Sequence, residues 1–168
     1  MKLTRLFVFA CAIIILFGSC KESNYPIDAK PLVKIDSRLL GTWKARDKEG
    51  QPPMLDMSVK LTKQTDVLYR LSIKEKDKGK AIEEATNAYL SEIDKSTFLN
   101  VHIKDDTGGY IFFRILSIDA KGNKITAVGM ADTTLRTAVS SEDLRARFTK
   151  NLNNPSFYKD TVEFYRVK

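Results

Sequence analysis

Few residues in this chain are equipped for chemistry. There is one histidine, His102, and there are two cysteines, Cys11 and Cys20. A zinc site built from Cys and His needs about four such ligands, and imidazole catalysis would rest on His102 alone. His102 alternates with Asn100 and Lys104 on what reads as the wet face of a strand, which places it in solvent. Asp105 and Asp106 are adjacent and run into Thr107-Gly108-Gly109, a turn signal. Neighbouring residues of this kind point apart, and calcium would need several more oxygen ligands. Thr133-Thr134 and Ser140-Ser141 are hydroxyl pairs, the second better explained as a helix cap. There is no Gly-x-Ser-x-Gly elbow, no phosphate loop and no His-Glu-x-x-His. Equipment this sparse favours a non-catalytic protein with no cofactor and no metal, although a carboxylate pair among the 21 acids stays open.

Cys20 has a different context. Lys2 and Arg5 precede an unbroken apolar run, Leu6 to Phe17, and Gly18-Ser19-Cys20 follows. Twelve apolar residues are too few to span a bilayer, which takes about 20 at 1.5 Å each; a charged start and a short apolar run form the pattern of a secretory signal peptide. Phe17-Gly18-Ser19-Cys20 resembles the lipobox of bacterial lipoproteins, departing from it at Phe17, where Leu is usual. The resemblance implies a signal peptide over 1–19, removed by cleavage before Cys20, and lipid attached to the Cys20 thiol. It also implies a cell-envelope location, and Lys21 after the cysteine fits outer-membrane sorting in that group. The membrane is then the first partner, reached through acyl chains that contribute about 0.8 kcal/mol per buried methylene.

Cutting 19 residues from 168 leaves 149, and with Lys2 and Arg5 gone the formal charge falls from +7 to +5. No second cysteine remains for a disulfide, so stability must come from a packed core. Residues 20–36 are polar after the cysteine, carry Pro26 and Pro31, and show no periodicity. They read as a flexible tether reaching roughly 50 Å, with residues 37–168 as the folded domain.

From Leu39 onward the dominant period is two. Met57, Val59 and Leu61 alternate with Ser58, Lys60 and Thr62; Val67, Tyr69, Leu71 and Ile73 with Leu68, Arg70, Ser72 and Lys74; Leu99, Val101 and Ile103 with Asn100, His102 and Lys104. These are strands with one dry face, separated by turn signals at Lys78-Gly79, Asp105 to Gly109 and Ala120 to Asn123. The expectation is a mainly β fold, an antiparallel meander curled into a barrel or half-barrel. Tyr110 to Ile118 is apolar on both faces and needs an outer cover. Ser140 as N-cap, Glu142 and Asp143 in the first turn, and Leu144, Phe148 and Leu152 at intervals of four predict that cover as a C-terminal helix over about 141–152. Residues 81–93 fit either a helix face (Ile82, Ala85, Tyr89, Ile93) or the second arm of a hairpin; the Lys-rich turn at 76–80 favours the strand.

Leu40-Gly41-Thr42-Trp43 resembles the Gly-x-Trp entry of lipocalin-like barrels. That resemblance implies that Trp43 closes the base of the barrel, beneath an Arg of the last strand for which Arg166 is the candidate. The residues themselves leave Trp43 open between core filler and cavity lining, and Arg166 between a cation–π cap and an outward strand arginine. Segments Tyr89 to Ile103 and Ser140 to Lys168 also resemble uncharacterised small bacterial lipoproteins, a group that brings no activity. Ala127 and Gly129 are small residues on one strand and mark where space for a ligand would lie. Lys74 to Lys80 is the sole basic concentration, interleaved with Glu75 and Asp77, and reads as a solvated hairpin tip; nothing points to nucleic acid. The expectation is therefore a monomeric lipoprotein whose barrel holds a small apolar or amphiphilic ligand, with Trp43, Ala127, Gly129 and Arg166 as site residues. The alternative is a filled barrel docking onto another envelope protein.

Overall fold

The computed structural model of the protein describes residues 22–46, 57–77, 80–103, 108–131 and 133–167. Cys20, Lys78-Gly79, Asp105 and Asp106 lie outside the described residues. Alternation prevails: eight strands follow one another as an antiparallel meander, β1 Gly41–Arg46, β2 Met57–Lys63, β3 Tyr69–Asp77, β4 Lys80–Ile93, β5 Ser96–His102, β6 Tyr110–Ile118, β7 Lys124–Met130 and β8 Tyr158–Arg166. The last strand pairs with the first, Trp43 opposite Arg166 and Ala45 opposite Phe164, so the sheet is a closed, lipocalin-like barrel and not a half-barrel. Residues 81–93 are strand. The helical propensity of Glu83 and Glu84 is overridden because β4 is paired with β3 from Lys80 to Ala88 and with β5 from Ala88 to Ile93.

Each strand has an inner and an outer face. Inward go Trp43, Val59, Leu61, Tyr69, Leu71, Ile73, Ala88, Leu90, Leu99, Val101, Ile111, Phe113, Ile115, Ile125 and Phe164, which form one apolar cluster. The outer faces of β2 and β3 present Lys60, Arg70 and Lys74 to water. The outer faces of β4 to β7 instead carry Ile93, Phe98, Phe112 and Met130, which belong to a second cluster.

That cluster is completed by helix α1, Ser141–Asn151, inserted between β7 and β8. The Ser140 hydroxyl accepts from the Asp143 N–H at 3.1 Å, and the Asp143 carboxylate accepts from the Val139 N–H at 3.1 Å, a reciprocal cap. Leu144, Phe148 and the C-cap residue Leu152 are buried. The Phe148 ring meets Phe98, Phe112 and Phe157 edge-on at 5.1–5.3 Å between centroids. Phe112 is the β6 residue under the helix. At the helix C-terminus the Leu152 carbonyl accepts from Arg114 at 2.9 Å and from the Tyr158 hydroxyl at 2.8 Å, placing a cation where the helix dipole is negative.

The expected tether is where sequence and structure part. Residues 22–36 form a strap that is bound along the outside of the barrel over its first part and then packs Val33 and Ile35 against the inner cluster. Ser23 and Tyr110 exchange backbone hydrogen bonds of 3.0 and 2.7 Å. Ile27 is buried in the helix-side cluster, and its N–H donates to the Asn100 carboxamide oxygen at 3.0 Å. Asn100, fully buried, also donates to the Ser91 hydroxyl at 2.9 Å. The Tyr89 hydroxyl donates to the Asp28 carbonyl at 2.6 Å, and Arg145 of α1 pairs with the Asp28 carboxylate at 2.5 Å. The physical reason is a set of partners 61 to 117 positions away in the chain. They satisfy the backbone of a segment that has no periodicity of its own.

Candidate functional site

Two arrangements stand out: a sealed end and an apolar interior. The seal begins where the strap ends. The Tyr69 hydroxyl accepts from the Asp36 N–H at 2.6 Å and donates to the Asp36 carbonyl at 3.2 Å. Asp36 then caps a single 3-10 turn, Ser37–Leu39, by accepting from the Arg38 N–H. Arg38 also forks onto the Asp36 carboxylate, and that hydrogen-bonded pairing holds the Asp36 carboxyl below its ordinary value. The turn drives Leu39 into the barrel and presents its carbonyl to the Trp43 indole N–H at 2.9 Å.

Arg166 lies over the Trp43 ring with its guanidinium carbon 4.4 Å from the centroid. Its five-donor fork is occupied by three carbonyls, Gly122 at 2.6 Å, Leu40 at 2.5 Å and Arg38 at 2.8 Å. One side chain thus ties β8, the β6–β7 turn and the entry to β1. One glycine makes room for it and another shapes the turn that it grips. Gly41 has φ +133° and a Cβ there would collide with the guanidinium; Gly122 has φ +64° and closes the β6–β7 turn. The strand parity that sequence left open is settled by the register: Arg166 is opposite Trp43 and on the inner face. With its donors committed to carbonyls, Arg166 serves as the keystone of the closed end.

The interior has a different character. Val59, Ile73, Leu99, Ile103, Phe113, Ile115, Ile118 and Phe164 project toward the inner cluster yet remain only partly buried. Ala127 and Gly129 are also on the inner face, Ala127 opposite Ile115 and Gly129 opposite Phe113. Ala127 and Gly129 are themselves buried, each facing a partly buried large apolar residue of β6. An arrangement of this kind can accept apolar groups by burial. His102 stands at the end of β5, half-buried, edge-to-face with Tyr110 at 5.1 Å. Lys74 is exposed on β3, and Ser141 is the buried first residue of the helix behind its Ser140 cap.

Sequence reasoning named Trp43, Arg166, Ala127 and Gly129 as ligand-site residues; the structure brings Trp43 and Arg166 together in the seal and sets Ala127 and Gly129 apart from them on β7, and Asp36, Tyr69 and Asn100 were not named among them. The one readable signal was Asp36-Ser37-Arg38 ahead of Leu39-Leu40, a capping residue before an apolar pair.

Burial pushes the Tyr69 and Tyr89 phenols above the ordinary value of 10.0. A folded phenol that keeps its proton when the unfolded one ionises stabilises the fold fully below pH 10 and progressively less above it. The urea midpoint is expected to hold from pH 8 to 9.5 and drop at pH 11. Tyr89→Phe should reduce that drop, whereas a midpoint insensitive to alkali would contradict the buried-phenol account.

Neither a family model, nor a curated protein, nor a solved structure matches this chain.

Proposed function

We propose that this protein is a membrane-anchored envelope lipoprotein whose barrel binds a small apolar or amphiphilic ligand. The observation that carries the ligand reading is the pair of partly buried residues Phe113 and Ile115 facing the small residues Gly129 and Ala127 on the inner face of a closed barrel. An eight-stranded barrel has an interior that side chains can fill or that holds one small ligand. Inner-face side chains such as Trp43, Tyr69, Leu71, Leu90 and Val101 are buried, whereas Val59, Ile73, Leu99, Phe113 and Ile115 are only partly so. The anchor reading is carried by the charged start, the short apolar run and Gly18-Ser19-Cys20.

The test is titration of an apolar fluorescent probe into the soluble domain. Saturable binding in the micromolar range is expected, and Gly129→Phe should abolish it by occupying the space opposite Phe113. Gly129 is not among the positive-φ glycines, so its backbone admits a side chain. No binding by the parent, with an unchanged or higher melting temperature for Gly129→Phe, would sink the container. It would bring forward the alternative of a filled barrel docking onto another envelope protein. That alternative draws on Leu32 and Val139, exposed at 77% and 75%.

A further inference from the structure

We propose that the end of the barrel carrying the β5–β6 connection faces the bilayer at close range, with the Trp43–Arg166 seal on the far side. This rests on the lipoprotein reading above and goes beyond it, because the partner surface and the orientation are both specified. The argument is one of chain length. Ser23 is fixed to Tyr110, the first residue of β6, by two backbone hydrogen bonds. Gly109 lies so near that a Cβ on it would stand 3.3 Å from the Ser23 carbonyl oxygen. Glu22 faces Arg136 at 4.0 Å, so the start of the strap is also placed against the 3-10 turn Thr133–Thr137.

An acyl chain on Cys20 is joined to Glu22 by two peptide steps, at most about 7 Å between Cα atoms. The slack of roughly 50 Å that a free segment would have allowed is gone, because residues 22–36 are spent along the barrel wall. The lipid surface must therefore approach Tyr110. From there β6 runs nine residues to Ile118 beside the β6–β7 turn and the Arg166 keystone. At about 3.3 Å per residue and a strand tilt near 40°, that turn is about 20 Å farther along the barrel axis. The far end is the sealed one, so the interior is plugged on the solvent side and its other end is held toward the acyl phase. The ligand class this geometry favours is a lipid-like amphiphile exchanged directly with the membrane.

The experiment uses the acylated full chain in phosphatidylethanolamine/phosphatidylglycerol vesicles doped with headgroup nitroxide lipid. With Cys20 acylated and Cys11 cleaved away, one added cysteine is the sole free thiol. Arg136→Cys, beside Glu22, and Lys121→Cys, in the β6–β7 turn, each receive a fluorophore. Quenching at least threefold stronger at position 136 than at 121 is expected. A ten-residue Gly/Ser insertion after Lys21 should erase the difference. Equal quenching at both positions without the insertion would overturn the orientation while leaving the anchor intact. Intact-mass measurement separates the two readings: a Cys20 without acyl groups, or a Cys20→Ser chain that still partitions into membranes, overturns the anchor and the orientation with it.

Discussion

Phe148→Ala is expected to lower the unfolding free energy by about 3–5 kcal/mol, the range for truncating a fully buried Phe. Phe148 is entirely buried and is the hub of four rings drawn from β5, β6, α1 and the 3-10 turn before β8. Its loss leaves a void bounded by rigid edges, since Phe98 and Phe112 are fixed to a closed sheet and cannot collapse into the space. The same cluster holds Ile27, so the variant should loosen the strap as well as the helix. Guanidinium titration with far-ultraviolet circular dichroism measures the first effect, and amide exchange at Ile27 measures the second. A loss below about 1 kcal/mol, outside the range for a buried Phe, would mean that α1 is loosely seated and that its stripe serves a partner.

Arg166→Ala is expected to cost about 2–4 kcal/mol. Hydrogen bonds from a charged donor contribute about 1.5–3 kcal/mol each when buried, and a cation over an aromatic ring about 0.5–2 kcal/mol, more where the ring is buried as Trp43 is. Arg166 is half-buried and the Arg38 carbonyl is exposed, so the sum of its three bonds is discounted by water that re-solvates the freed carbonyls. Arg166→Lys should recover less than half of the loss, because one ammonium cannot span the carbonyls of Gly122, Leu40 and Arg38. Trp43 is the sole tryptophan, so its emission reports the seal directly. A red shift in native Arg166→Ala is expected, and an unchanged spectrum and midpoint would show that Leu39 and Tyr69 close the end unaided.

Fold class was legible because most inner-face positions alternate cleanly, as in Leu71-Ser72-Ile73 and Leu99-Asn100-Val101, and alternation is a local property. The helix was legible for the same reason: its cap and its four-residue spacing are contained within 140–152. The strap was not. Ile27, Asp28 and Asp36 gain their meaning from Asn100, Arg145 and Tyr69, and nothing within 22–36 reports those partners. Arg166 lay between these cases. A resemblance pointed to it, but its inward aim depended on the register between the first and last strands, which no local pattern records. The interior was legible only as a pair of small residues; that Phe113 and Ile115 stand opposite them follows from the pairing of β6 with β7.

The pairing of β8 with β1 carries a consequence for how the chain reaches its native state. Trp43 and Arg166 are 123 positions apart, and neither edge of the meander is satisfied until they meet. Contacts of such separation are costly to nucleate, and barrels dominated by them fold in milliseconds to seconds, not microseconds. Until β8 docks, β1 and β7 offer unpaired backbone to any neighbouring chain. Substitutions that delay β8, at Phe164 or Arg166, should therefore reduce the yield of folded protein in cells by more than their equilibrium cost alone would dictate.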